Sequence, residues 1–208
     1  MPVNNYITAS CTINKNAVYK DDILLFQNGQ APVMDFLLSI YQHLEIKYPK
    51  FYKMDGLSKL GWLAAEVLLT GNFASDKYTP ENIGVVLCNA NASLDTDIKY
   101  YETAKDIASP ALFVYTLPNI VIGEICIRHH FKGEDAFFIM EKFDAEFITQ
   151  YVSNLINNNI LQACICGWVE LLDDQYKAVL FLVEREPSIA PLLFTNQNIT
   201  KIYQLENG

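Results

Sequence analysis

An uninterrupted apolar run, Ile83-Gly-Val-Val-Leu-Cys88, stands between polar turns in this chain. A strand without a polar face needs cover on both sides. That requirement disfavours a helical bundle or a sheet with one wet face, and it calls for helices packed on both faces of a sheet. The helices to provide such cover are legible nearby. In Ser58 to Thr70, the residues Leu60, Leu63, Ala64, Val67 and Leu68 fall on one stripe. Asp55 or Ser58 can cap its start, and Gly71 ends it.

Further elements follow by period. Tyr6 to Thr12 alternates as a first strand, and Asp35 to His43 has a helical stripe of Phe36, Leu37, Ile40, Tyr41 and Leu44. Asp95 to Asp106 reads as a polar helix stopped by Pro110. Asn119 to His129 reads as a buried helix, Ala136 to Met140 as a strand, and Ala145 to Asn157 as an amphipathic helix. Leu161 to Leu171 and Lys177 to Glu184 read as two strands joined at Asp173-Asp174-Gln175. The order β-α-β-α-β-α-β-β predicts an α/β layered fold with a mixed sheet, ending in an antiparallel pair.

The 208 residues are 51% hydrophobic, and no Pro/Gly/Ser-rich linker, charge block or repeat divides them. We therefore read one domain over 1–208. A compact chain of this size buries roughly 70% of its unfolded surface. The net charge is −9, with only 15 Lys and Arg, and these are scattered. Nucleic acid needs a clustered basic patch, so it is set aside, and an acidic surface disfavours docking an acidic carrier protein. The start Met1-Pro-Val-Asn-Asn-Tyr has no signal-peptide pattern, and no apolar run is long enough to span a bilayer. The cysteines Cys11, Cys88, Cys126, Cys164 and Cys166 sit on apolar segments, as reduced thiols of a cytoplasmic protein do.

One stretch carries a family likeness. It runs through Ser109-Pro110-Ala-Leu-Phe113, Thr116-Leu-Pro-Asn119, Gly123-Glu124-Ile-Cys-Ile and Phe131-Lys132-Gly133. Upstream stand Lys53-Met54-Asp55 and Ile83-Gly84-Val-Val-Leu; downstream stand Asn158-Asn159-Ile160 to Gly167-Trp168 and Lys177 to Arg185. In order and spacing these resemble the N-terminal half of β-ketoacyl-ACP synthases, which are thiolase-like, over about Lys53 to Arg185. The stretch also resembles the short, chain-length-factor-type subunits of aryl polyene and flexirubin pathways.

The resemblance implies one thiolase-like half and a role in fatty acid or polyketide-type biosynthesis, with no cofactor or metal. It also exposes two departures. Counted from Gly133 through the gapless stretch to Gly167, the position of the synthase nucleophile holds Lys142. An amine there would form a stable amide in place of a thioester that turns over. The His and Lys groups that the family draws from its second half are missing too. The implied function is a non-catalytic accessory subunit paired with a full-length ketosynthase, or with a second copy, through the 136–140 strand. Phe137, Phe138 and Met140 become the candidate tunnel or interface residues. The alternative is a stand-alone protein that binds an acyl chain or an acyl carrier protein without chemistry.

The remaining candidates have plainer readings. Lys142 needs a partner such as Glu141 or Asp144 if it faces a dry tunnel; otherwise it is a solvated lysine at a helix start. His129-His130 are adjacent, diverge, and make a poor metal site. Cys164 and Cys166 share one strand face as core residues, without zinc spacing. Cys126 as a displaced nucleophile is the basis of a third reading, a true acyltransferase. Glu124 reads as a buried charge that either caps or pairs with Arg128 at i+4. No Gly-rich phosphate loop, nucleophile elbow or H-E-x-x-H helix occurs.

Overall fold

In the computed structural model, which describes residues 4–71, 73–186 and 192–205, three strands come first. They are β1 (Tyr6–Asn14), β2 (Ala17–Lys20) and β3 (Ile23–Gln27). Helices α1 (Val33–His43) and α2 (Gly56–Leu69) lead to β4 (Ile83–Asn89). Then come α3 (Leu94–Ala104), α4 (Pro110–Val114), α5 (Ile120–His129), β5 (Asp135–Ile139) and α6 (Ala145–Asn157). The chain closes with β6 (Ala163–Leu172), β7 (Gln175–Glu184), β8 (Leu192–Leu193) and α7 (Asn196–Gln204).

The strands form one mixed sheet in the order β3-β2-β1-β7-β6-β4-β5, with β8 beside β1. β4 runs parallel to both β5 and β6, whereas β6–β7, β7–β1, β1–β2 and β2–β3 are antiparallel. The apolar run does become an inner strand covered twice: every residue of β4 is buried. Strand alternation sorts the core into two layers. Val85, Leu87, Ile165, Leu180 and Leu182 pack with α1, α2 and α5. Val86, Cys88, Trp168, Phe181 and Val183 pack with α6 and α7.

α2 is buried nearly all round because it lies on β1, β6 and β7 while also touching α1 and α5. Asp55 is the cap, accepting from the Ser58 N–H at 2.9 Å. A Cβ at Gly61 would come within 2.4 Å of Val121 Cγ2, so the α2–α5 approach depends on glycine there. α6 starts on Asp144, which accepts from the Phe147 N–H at 2.9 Å, and buries Ile148, Val152, Leu155 and Ile156.

Two parts of the fold were not anticipated, and one expected pairing changes. The β2–β3 hairpin was not anticipated: β3 exposes Ile23, Leu24 and Leu25 and has no alternating face to announce it. The polar tail from Thr195 carries α7, whose Ile199 and Ile202 are buried against α6 and the sheet; residues 206–208 lie outside the described residues. Glu124 is buried as read, but its partners are Lys50 at 2.7 Å and the Tyr115 hydroxyl at 3.1 Å. Arg128 turns instead to Glu66 of α2, at 2.9 Å. The i+4 spacing allowed a pair within α5, but burial against neighbouring elements supplied each residue with a partner off the helix.

Candidate functional site

The parallel strands β4, β5 and β6 end on the same side of the sheet, where open α/β sheets commonly hold ligands. A cleft of about 770 Å³ opens there. Lys142 sits on its lip, between the end of β5 and the Asp144 cap of α6, and is exposed to solvent. Lys142 thus stands in water at a helix start, beside the strand-end cleft and not in a dry tunnel.

The walls are aromatic. Trp168 of β6 is buried edge-on to both Phe143 (6.3 Å between ring centroids) and Tyr203 of α7 (6.4 Å). Phe143 and Tyr203 stack face to face at 4.0 Å. The Lys177 ammonium lies 4.0 Å over the Tyr203 ring and donates to the Tyr203 carbonyl at 2.7 Å. Glu170 accepts from the Ala90 and Asn91 N–H groups, at 2.6 and 3.3 Å, and so fixes the loop after β4. Glu170 and Tyr203 were missed from sequence. Glu170 had a signal, a lone carboxylate interrupting an apolar strand; Tyr203 had none, because α7 reaches the cleft only through the fold.

Phe137, Phe138 and Met140 do not converge. Phe137 packs on the α2–α5 side, while Phe138 and Met140 face α6. Phe138 sets its edge against Phe147 (4.8 Å) and Tyr151 (5.0 Å). Among the described residues, the cleft walls include none of the three.

Cys126 is half-buried, and burial, followed by the nearby Asp135 charge, pushes its thiol up to about 12. A nucleophilic cysteine needs the opposite shift. Burial likewise pushes Cys88 up to about 12 and raises Cys11, Cys164 and Cys166. For a thiol near 12, on the order of one molecule in 10⁵ is thiolate at pH 7. Iodoacetamide at neutral pH should therefore leave all five thiols unmodified in the folded chain and modify all five in urea, as read by intact mass. Rapid single labelling at Cys126 would contradict this environment.

His129 stacks on Phe131 at 5.3 Å and places Nε2 3.0 Å from Glu66. His130 is exposed and ends α5 with a left-handed backbone, φ 60°. The two imidazoles thus have separate structural settings. Cys164 and Cys166 do share one face of β6, inside the α6 layer. No helix among the described residues is long and apolar enough to cross a membrane.

No protein-family model and no curated protein matches the chain. Solved structures do. The ishigamide ketosynthase/chain length factor superposes with TM-score 0.63 at 16% identity, over 91% of this chain and 65% of that one. A type II polyketide acyl-carrier protein in complex with its ketosynthase bound to the hexaketide gives 0.60 at 16% identity, over 87% and 62%. The ketosynthase ApeO in complex with its chain length factor ApeC, from Xenorhabdus doucetiae, gives 0.58 at 11% identity, over 96% and 90%. The chain spans less than two thirds of the length of the first two. Its fold is the thiolase-like α/β fold of ketosynthases and chain length factors.

Proposed function

We propose that this chain is a ketosynthase-like accessory subunit, without a nucleophile of its own, that pairs with an active synthase through β5. The pathway would be of the fatty acid or polyketide type, as the aryl polyene resemblance implies. The observation that carries the reading is the free edge of β5. β5 is the outermost strand, bonded to β4 alone among the described residues. Met140 N–H donates to Asn89 C=O at 2.8 Å, and Glu134 C=O accepts from Val85 N–H at 3.3 Å. Even-numbered residues therefore bond inward, so the backbone of Asp135, Phe137 and Ile139 points out. An open edge of this kind is a template for another strand. The exposed Lys142 supports the non-catalytic part of the reading, since it offers no acyl-thioester chemistry.

Ile139→Pro tests the pairing. It removes one outward N–H while leaving the β4 ladder intact, and Ile139 is exposed, so the fold should hold. Tagged wild-type chain from its native cells should carry a stoichiometric full-length ketosynthase, identified by mass spectrometry, and the proline variant should lose it. Equal recovery with both variants, or none with either, would reject the reading. The aromatic cleft favours a second reading, a stand-alone acyl- or acyl-carrier-binding protein. It requires saturable binding of a long acyl thioester by the isolated chain.

A further inference from the structure

The sheet has a second open edge, at the end opposite β5. β3 is the terminal strand there, bonded to β2 alone among the described residues. It leaves Ile23 72%, Leu24 46% and Leu25 43% exposed. Edge strands are commonly guarded by charge or proline. This one has neither: no Lys, Arg, Asp or Glu occurs from Ile23 to Met34, and Pro32 lies beyond the strand. The β2–β3 register steps from Phe26 to Leu24, so Leu25 is the extra residue of a β-bulge, and its side chain stands at the surface. Phe26 anchors the strand, its ring 6.3 Å from Phe36 and 4.6 Å from His43 of α1.

The two ends of β3 differ in charge. Asp21 and Asp22 make the β2–β3 turn, and both are exposed. Lys20, beside them, is turned to the Thr70 carbonyl. At the other end the Asn28 N–H donates to the Asn16 carbonyl at 3.0 Å, which places the β1–β2 turn, with exposed Lys15, at that end of the strand. A second copy running parallel would set two acidic turns side by side. A second copy running antiparallel brings the acidic turn of each chain to the Lys15 end of the other, and opposite charges so placed fix the orientation. Centred on Leu25, such a pair holds the two Asp22 residues roughly 20 Å apart at ~3.3 Å per residue, well beyond a Debye length of ~8–10 Å. It also sets Leu25 opposite its own copy, Leu24 opposite Phe26, and Ile23 opposite Gln27.

We infer that β3 pairs antiparallel with β3 of a second copy of this chain, about Leu25, in a two-fold homodimer. Strand addition at an open edge supplies the backbone bonds, and the exposed aliphatic side chains supply the apolar contact. An edge this short belongs to the small interfaces, below ~1,200 Å² in total, so the pairing is weak and depends on concentration. It stands apart from the pairing proposed for β5: the two strands lie at opposite ends of one sheet, and both ends can be occupied together.

Sedimentation of the native chain from about 10 μM to about 1 mM, the range of weak association, should show the mass rise from one chain, 23.6 kDa, toward two. Leu25→Lys sets two like charges opposite each other on the two-fold and should stay monomeric throughout, with its circular dichroism unchanged. If that variant does not fold, Ile23→Lys, at the most exposed site of β3, takes its place. Disulfide capture reads the register. A disulfide needs Cα atoms within ~7 Å, so Ile23→Cys should link to Gln27→Cys in an equimolar mixture. It should not link to itself across roughly 13 Å of strand. The native cysteines are buried or half-buried, which keeps them out of the reaction. A single-chain mass at every concentration, or a dimer that survives the lysine variant, overturns the inference. So does Ile23→Cys linking to itself as readily as to Gln27→Cys. A dimer abolished by Ile139→Pro and kept by Leu25→Lys would mean that copies meet at β5, which rejects this edge and leaves the β5 reading standing.

Discussion

Gly167→Ala should leave the chain unable to fold. Gly167 sits in the middle of β6 with φ +146°, a backbone region that side chains rarely tolerate. A Cβ there would lie 2.1 Å from the Val179 carbonyl oxygen and 3.1 Å from Leu180 Cα. Both are backbone atoms of β7, which is itself clamped between β6 and β1. Neither neighbour can turn aside as a flexible side chain would, so relief requires parting the longest ladder in the sheet. Losses above about 4 kcal/mol come from few mechanisms, and backbone strain joined to core displacement combines two of them. Against a typical total of 5–15 kcal/mol, that removes most of the stability. The expected result is insoluble expression, or a thermal midpoint lowered by well over ~10 °C. A soluble variant melting within a few degrees of wild type would show that β6 and β7 can separate there without cost.

Gly167 also shows what could be read from sequence. Its place in Gly167-Trp168 was legible as a motif, yet the need for a positive φ came only with the paired strand. Elements governed by local period were read well. β4 announced itself by unbroken apolarity, α2 by its stripe and the Asp55 cap, and α6 by the run from Phe147 to Leu155. Elements stabilised by distant partners were not. β3 is apolar but exposed, so neither alternation nor burial marks it. α7 reads as polar because only Ile199, Ile202 and Tyr203 face inward, and their counterparts, Phe143 and Trp168, stand far off in sequence. The cleft followed the same rule. Lys142 could be placed at the strand ends by spacing, whereas the wall opposite it is formed by the tail.

Arg128→Met should cost about 3 kcal/mol at neutral pH, and the loss should shrink in acid. Glu66 is buried on α2, with Arg128 Nε 2.9 Å and His129 Nε2 3.0 Å from Oε1. The guanidinium lies 5.3 Å from the centre of the Tyr48 ring and 5.9 Å from that of Trp62. Burial by itself would raise the Glu66 carboxyl, but hydrogen bonds from His129 and Arg128 outweigh it and hold the group below its ordinary value. A depressed carboxylate adds stability that is complete above the unfolded value, near 4.3, and is lost as pH falls through the folded one. Arg128→Met keeps the apolar stem but removes the permanent cation, leaving His129 alone to offset the burial that pushes Glu66 up. The variant then carries a poorly compensated buried charge at pH 7, the costly way to break such a pair. As pH falls, the variant's Glu66 takes up a proton before the wild type's does and sheds that penalty, after which the wild type in turn loses its gain. Urea unfolding at pH 7 and at pH 4 should therefore show a large gap between the two proteins that narrows in acid. Glu66→Leu added to Arg128→Met should recover most of the loss, because an apolar pair needs no compensation between α2 and α5. A gap independent of pH would mean that Arg128 acts by packing on Tyr48 and Trp62, and that its charge on Glu66 contributes little.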